Sequence, residues 1–467
     1  MIPAAVRPVR HAVVLAAGKG TRMRSARPKV LHEAGGRPLL AWVLAAASAA
    51  GCERLTVIVG HGAEEVRAAF PAPDIDWVLQ SEQRGTGHAL AQARDAVRGA
   101  ATLLVLSGDV PLLAAETLAR LAAAAEAGWG AMATATLDAP GTLGRVIAAA
   151  DGTLARIVEA ADATAEELAL RRVNAGIYAL PAPEIFDFLA RLTPDNAKGE
   201  LYLTDALGLA AASGRRLALV ELAEPAEGWG VNDRLDLARA DAWLVAAKAR
   251  ALAAAGVTIL APERVRIEAE VEIGADTLVH PDVFLGGRTR IGSGCTLHQG
   301  AWLRDTEVEG GATIEPYSVL DGARIGAGCR VGPFARLRPG AELAAGARVG
   351  NFVEMKNARL GPGAKAGHLT YLGDAEVGAR ANIGAGVVTC NYDGAAKHRT
   401  EIGEGAFVGS DTMLVAPVRV GAEATTAAGS VINKDVPDGA LAIERGPQRL
   451  YPEWARRRRR GNQPKKG

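Results

Sequence analysis

From residue 267 an aliphatic side chain recurs every six positions: Ile267, Ile273, Val279, Leu285, Ile291, Leu297 and Leu303. The spacing returns at Ile325, Val331, Leu337, Leu343 and Val349, and again at Ile402, Val408, Leu414 and Val420. A helix places one face every 3.6 residues and a strand every second residue, so neither produces this period. A parallel β-helix does, because each hexapeptide makes a short flat strand and a turn with the aliphatic side chain inward. Glycine follows the aliphatic residue at Gly274, Gly292, Gly326, Gly332, Gly350, Gly403, Gly409 and Gly421, where it is expected to ease the turn. The register breaks near residues 304–314 and more widely at 388–401. Insertions in a solenoid emerge as loops, and loops carry binding groups.

Residues 1–232 follow a different pattern. Short β-like runs at Ala12–Leu15, Leu55–Val59, Trp77–Leu79, Leu103–Leu106 and Ala131–Ala135 alternate with helical stretches at Leu39–Ala50, Ala63–Ala69, Ala89–Val97 and Glu116–Ala125. This alternation predicts a Rossmann-like, parallel-dominated sheet covered by helices, whose ligands sit at the carboxyl ends of the strands. Three segments fall there: Leu-Ala-Ala-Gly-Lys-Gly-Thr-Arg-Met over 15–23, Gln80 with Gly85-Thr86-Gly87-His88, and Ser107-Gly108-Asp109. Gly18 and Gly20 let the first loop bring backbone N–H groups against a phosphate or a base edge, and Lys19, Arg22 and Lys29 supply cations. The loop is neither G-x-x-x-x-G-K-[ST] nor G-x-G-x-x-G, and a plain strand-to-helix turn can have the same composition. Residues 233–256 read as one connecting helix ending at Gly256, leaving 257–467 for the β-helix and a basic tail.

At 467 residues, 49% of them hydrophobic, the chain is expected to form two or three domains. A net charge of +1 removes general attraction to nucleic acid. Cys52, Cys295, Cys329 and Cys390 lack C-x-x-C spacing and read as reduced cytoplasmic thiols. Arg7 and Arg10 before an apolar run imitate a signal peptide, but Lys19, Arg22 and Arg24 follow too soon, which favours a buried strand. No run reaches the length of a membrane span. The tail, Arg456–Arg460 with Lys465 and Lys466, reads as a solvated charge run.

The order of the motifs closely resembles the bacterial bifunctional N-acetylglucosamine-1-phosphate uridylyltransferase/glucosamine-1-phosphate N-acetyltransferase family. The likeness runs from Leu15 to about Gln448. In the first half it rests on the 15–23 loop, Arg27-Pro28-Lys29-Val30-Leu31-His32, Gln80–His88, Gly108-Asp109-Val110-Pro111-Leu112 and Gly230-Val231-Asn232. These stretches are shared broadly among sugar nucleotidyltransferases. Narrower are Gly332–Gly340, Asn351–Lys356, Lys365–Asp374, Asn382–Gly386, Cys390–Gly394 and Phe407–Asp411. The resemblance implies an α/β nucleotidyltransferase followed by a left-handed parallel β-helix of hexapeptide repeats. It further implies a homotrimer whose acetyl-transfer sites lie between subunits.

The resemblance implies that the first domain transfers uridylate from UTP to N-acetylglucosamine 1-phosphate. Asp109 and Asn232 would hold Mg²⁺, and Arg22 and Lys29 would stabilise the triphosphate and departing pyrophosphate. Leu15, Ala16, Ala17, Gly18, Gln80, Gly85 and Thr86 match the positions that grip uracil, and Gly144, Glu159 and Asn174 those that hold the sugar. Ser107, beside Gly108, stands where relatives commonly carry an aromatic residue. Without the resemblance, a turn or capping aspartate before Val-Pro-Leu-Leu is the lesser reading of Asp109.

For the second domain the resemblance implies acetyl transfer from acetyl-CoA to glucosamine 1-phosphate. That amine is protonated near neutral pH and needs a base, for which histidine suits best. His368 matches the base, although a lone solenoid histidine is commonly structural. Arg338, Lys356, Tyr371 and Asn382 match the sugar-phosphate site, Asn391 and Tyr392 contact sugar or donor, and Ala385, Ser410, Ala428 and Arg445 match acetyl-CoA positions. No cysteine matches a catalytic position, which favours direct transfer. A nucleotidyltransferase whose β-helix only assembles or regulates would share the first half but not need His368, Tyr371, Lys356 and the Asn391-Tyr392 loop together. A non-catalytic scaffold would not need Asp109, Asn232, Lys29 and His368.

Overall fold

The computed structural model describes residues 10–71 and 73–461; Arg7, Lys465 and Lys466 of the terminal readings lie outside them. The chain divides into two compact units, one up to Ala247 and one from Lys248. In the first, the strand Arg10–Ala16 pairs in parallel with Arg54–Val59 on one side and Thr102–Ser107 on the other. Its run His-Ala-Val-Val-Leu-Ala is apolar without alternation because helices cover both faces of a parallel sheet. Val14, Val57 and Leu104 pack with Leu40, Val43 and Leu118 on one face. Val13, Ile58 and Leu103 point the other way, onto Leu90, Ile185 and Leu207.

The nine-stranded sheet runs Leu217–Glu221, Gly130–Thr136, Arg172–Pro181, Thr102–Ser107, Arg10–Ala16, Arg54–Val59, Ile75–Leu79, with Arg145–Ala148 and Leu154–Val158 beside it. Arg172–Pro181 is antiparallel to both its long neighbours, so the sheet is parallel-dominated. The helix expected at Ala89–Val97 instead spans Thr86–Gln92. Its start is drawn back because Gly85, at φ +108°, packs its backbone on Leu201 and the Gly87 N–H donates to the Leu201 carbonyl at 2.8 Å. Beyond Gln92 the chain continues as single turns closed by Val97 N–H to Ala93 O and Ala100 N–H to Val97 O.

One buried group ties this sheet to pH. His11 is 1% exposed and its Nε2 lies 2.7 Å from Thr56 Oγ1. Burial, helped by the Arg54 charge and opposed by Asp76, lowers its pKa from 6.5 to about 4. The folded state therefore binds the proton more weakly than the unfolded chain. The stabilisation is complete above the unfolded value and is lost as pH falls from about 6.5 towards 4. We expect this change to remove on the order of 2–3 kcal/mol. Thermal unfolding against pH should show a slope in this window that is absent in His11→Gln; equal slopes would exclude His11 as its source.

The second unit is a left-handed parallel β-helix whose short strands stack into three sheets of eleven, ten and nine strands. Each strand pairs with the one three along, as in Ile273 with Ile291 and Leu285 with Leu303, until the last coil, where Thr425–Thr426 pairs with Leu441–Ala442, two strands along. The six-spaced aliphatic residues fill its interior almost without exposure. The break near 304–314 is a coil one residue short, since Ile291 pairs with Val308, seventeen residues on instead of eighteen. The break at 388–401 is a loop emerging between Val388–Cys390 and Thr400–Ile402 and pinched by a Tyr392–Lys397 bridge.

The glycines after the aliphatic residue do not serve the turns. Of the eight, only Gly332 has positive φ. At the others a Cβ would run into the next coil: at Gly292 it would stand 2.6 Å from Gly310 N, and at Gly350 it would collide with the Gly367 carbonyl. Coil-to-coil approach, not turn conformation, demands glycine there.

Candidate active sites

The first candidate site forms where strands end side by side. Gly108 N–H donates to Leu15 O at 2.9 Å, joining the ends of two neighbouring strands, with Ala16 against Gly108. Ala17 and Gly18 lead into the loop, and a Cβ on Gly18 would meet only open space. Gly20, at φ +57°, packs on Lys29, which opens the short 3-10 turn Lys29–Leu31. The Lys29 ammonium pairs with the Asp109 carboxylate, both largely covered. Val231 N–H donates to Asp109 O at 2.9 Å, bringing Asn232 to the same place. There Asn232 Oδ1 accepts from Arg22 at 2.9 Å.

These groups open on a cavity of about 700 Å³ whose walls include Arg22, Ser107, Asp109, Gly144, Glu159, Asn174 and Asn232. Asn174 is held by donating to Tyr178 Oη at 2.7 Å and by accepting from Gly176 N–H at 2.9 Å, and its own N–H bonds Gly144 O. Gly144 leaves the space that a Cβ would fill 3.2 Å from Ile157 and 3.5 Å from Glu159 Oε1. Burial pushes the Glu159 carboxyl above its ordinary range, partly countered by the Thr204 hydroxyl donating to Oε1 at 3.2 Å. Buried Gln80 follows the neighbouring strand and bonds Val59 O through its N–H at 2.8 Å. The carboxamide of Gln80 donates to Gly85 O, and Thr86 Oγ1 accepts from Leu203 N–H.

The second candidate site lies on the β-helix. His368 is exposed at the end of Lys365–His368 and pairs in register with Asn351, whose Oδ1 is 2.6 Å from His368 Nδ1. Tyr371 opens the next strand of the same coil, and Gly373 leaves room for its hydroxyl and for Asn391 Nδ2. Asn391 and Asn357 donate to Asp374, Asn357 at 2.6 Å. Burial raises the Asp374 pKa, but those amides and the charges of Lys397 and Lys356 outweigh it and hold the carboxyl below its ordinary range. Arg338 donates to Glu354 at 2.9 Å. Close approach of Lys397, its charge and that of Arg338 push Lys356 below the ordinary lysine range.

Asn382 is half-buried on the strand next to the one ending in His368. Tyr392 is exposed on the loop, its hydroxyl donating to Gly394 O at 2.7 Å. One corner of successive coils carries Ala385, Ser410 and Ala428: Asp411 N–H bonds Ala385 O, and Gly429 N–H bonds Ser410 O. Arg445 closes the column by donating to Ala428 O at 2.8 Å.

Residues 12–178 match the family model described as a MobA-like NTP transferase domain. Over 455 residues the chain is 49% identical to the Bifunctional protein GlmU of Alkalilimnicola ehrlichii, covering 97% of both chains. It is 48% identical over 444 residues to the Bifunctional protein GlmU of Stutzerimonas stutzeri, covering 95% of this chain and 98% of that one. The same name and identity hold for a relative in Syntrophotalea carbinolica, covering 95% and 96%. The chain belongs to the GlmU family.

In this GlmU family chain several residues that sequence reasoning passed over share the cavities. Trp229, Asp236 and Arg239 line the first, along with the Pro140–Leu143 loop. Trp229 lies in Gly-Trp-Gly, two residues before Val231-Asn232, a signal that was legible; Asp236 and Arg239 lie on the connecting helix, where charge reads as solvated surface. Lys397 in the inserted loop joins Lys356 and Arg338. Among the described residues no helix is long and apolar enough to cross a membrane.

Proposed function

We propose that this chain carries out two steps of UDP-N-acetylglucosamine synthesis. Acetyl transfer from acetyl-CoA to glucosamine 1-phosphate belongs to residues 257–467, and uridylyl transfer from UTP to N-acetylglucosamine 1-phosphate belongs to residues 1–232, joined by the helix of 233–256. The single observation carrying this reading is that two separate sets of cations and polar side chains, around Asp109 and around His368, stand on the two units of a chain 49% identical to a GlmU protein.

At the first site a sugar-phosphate oxygen attacks the α-phosphorus of UTP and pyrophosphate leaves, so the protein's work is positioning and charge stabilisation. Arg22 lines the cavity and Lys29 pairs with Asp109 of its wall, and both would follow the departing charge. The carboxylate of Asp109 and the carboxamide oxygen of Asn232 are hard donors facing one cavity, a set that fits Mg²⁺ retaining water and phosphate oxygens. Bound there, Mg²⁺ would neutralise charge on the phosphates. Glu159 and Asn174 would hold the sugar hydroxyls and acetamide.

At the second site His368 takes a proton from the amine as the amine nitrogen attacks the thioester carbonyl; the C–N bond forms, the C–S bond breaks, and CoA leaves as the thiol with the proton that the imidazolium returns. The Cys390 thiol is pushed up by burial and is a poor nucleophile, which supports direct transfer. Arg338, Lys356 and Lys397 form the phosphate site, since three cations crowded together favour an anion among them. We expect Lys397→Ala to raise KM for glucosamine 1-phosphate about tenfold with little change in kcat. A fall in kcat at constant KM would place Lys397 outside the phosphate site.

The chain acts as a cytoplasmic homotrimer, a reading supported by its four free cysteines and by the exposed stacked ridge Tyr317, Phe334 and Phe352 on the β-helix. The deciding assay supplies glucosamine 1-phosphate, acetyl-CoA, UTP and Mg²⁺ and scores free CoA thiol and UDP-N-acetylglucosamine. Product from N-acetylglucosamine 1-phosphate without thiol release from glucosamine 1-phosphate would leave a nucleotidyltransferase with an assembly or regulatory β-helix.

A further inference from the structure

Two large apolar side chains stand exposed on the wall of the cavity around Asp109: Trp229, 43% exposed, and Leu143, 39% exposed. Each sits on backbone that is held in place. Trp229 ends the 3-10 turn Pro225–Gly228, its N–H donating to Ala226 O at 3.0 Å. Buried Glu227 of that turn accepts from Ala114 N–H, and just beyond the indole Val231 N–H donates to Asp109 O. The Leu143 carbonyl accepts from the buried Arg145 guanidinium. Both side chains flank the Asn174–Gly144 pair. Leu143 precedes Gly144, whose carbonyl accepts from Asn174 N–H at 2.9 Å. Trp229 follows Gly228, where a Cβ would stand 3.2 Å from the Cβ of Ala175, the neighbour of Asn174. Among the described residues the Trp229 indole stacks on no ring or cation, and its Nε1–H donates to nothing. A large ring fixed at one place in a polar cavity gains when an apolar surface covers it.

We propose that Trp229 is a substrate-binding residue whose indole packs against the C–H face of the sugar ring of N-acetylglucosamine 1-phosphate. This rests on the reading of the cavity as the uridylyltransferase site. The reactants offer three kinds of surface, and two of them do not suit the indole. Phosphate is repelled by the negative face of the ring. Uracil is flat and apolar on its faces, but Leu15, Gln80, Gly85 and Thr86, which match its contacts, lie outside the walls that include Trp229. Gly144, Glu159 and Asn174, which match the sugar contacts, share those walls. A pyranose carries its hydroxyls around the rim and C–H groups on its faces. Glu159 and Asn174 serve the rim, and an aromatic wall serves a face, the usual division of labour in a pocket with few polar groups placed among apolar ones. Because the turn already holds Trp229, little ordering is left to oppose the contact.

The test compares two ligands that differ only by the sugar phosphate's sugar: UDP-N-acetylglucosamine and UDP, each titrated by calorimetry into the full chain with Mg²⁺ present. Trp229→Ala should weaken UDP-N-acetylglucosamine about tenfold and leave UDP unchanged. Trp229→Phe keeps an aromatic face and should restore most of the loss. Affinity for UDP serves as the internal control, because a merely structural role would weaken both ligands alike. Parallel weakening of both, unchanged affinity for UDP-N-acetylglucosamine in Trp229→Ala, or a Phe variant as weak as the Ala variant overturns the proposal. Wild-type protein that binds neither ligand would overturn the uridylyltransferase reading itself, whereas wild type that binds both, with an unaltered Trp229→Ala, removes only the role of Trp229.

Discussion

Asp109→Ala is expected to abolish uridylyl transfer, by roughly 10³-fold or more, and to leave acetyl transfer intact. Two effects of the substitution act together. The cavity loses the Asp109 carboxylate, the charged oxygen that a divalent cation would use together with Asn232. Lys29, now paired with that carboxylate and mostly covered, is left as an uncompensated charge and would be redirected to the triphosphate. Tighter ground-state binding of UTP with a collapsed kcat is therefore the expected kinetic signature, because binding without transition-state stabilisation does not speed the reaction. Pyrophosphate release reports the first activity and free CoA thiol the second. Parallel loss of both would point to misfolding or to a shared site and would sink the assignment of Asp109.

Much of this arrangement is legible in the sequence. The six-residue period specifies a solenoid because nothing else buries one aliphatic side chain per hexapeptide, and the structure buries Ile267, Leu285 and Leu337 in one continuous core. The ends of Arg10–Ala16 and Thr102–Ser107 were legible as strand ends because apolar runs stop there at glycine and aspartate, and the structure sets them side by side. What escaped depends on distance across the fold. The spacing of Gly350 shows that it is glycine, but only the stacked coil shows that the Gly367 carbonyl occupies its missing side chain's place. Lys397 reads as one more cation in a polar loop until the Tyr392–Lys397 bridge folds that loop back towards Lys356. The helix at Thr86–Gln92 starts early because of Leu201, more than a hundred residues away, which no local propensity records.

His368→Ala is expected to lower the acetyl-transfer rate by roughly 10²- to 10⁴-fold, the span of a positioned base, with uridylyl transfer unchanged. The geometry says which nitrogen acts. Asn351 Oδ1 stands 2.6 Å from Nδ1, and a carboxamide oxygen accepts, so Nδ1 carries the proton and Nε2 of this exposed residue keeps its lone pair. Asn351 is therefore to His368 what the third member of a triad is to its base: it selects the tautomer. Histidine is suited to this step because the free ring nitrogen of a neutral imidazole accepts a proton while the other nitrogen keeps its own. In His368→Ala the amine must lose its proton to solvent, so the residual rate should climb with pH. The wild-type rate should depend on pH less steeply. Asn351→Leu should reproduce part of the loss in kcat without the same pH slope, since the base remains but its tautomer is no longer held. If His368→Ala only raised KM and left kcat unchanged, the ring would be a sugar contact and the proton would leave by another route.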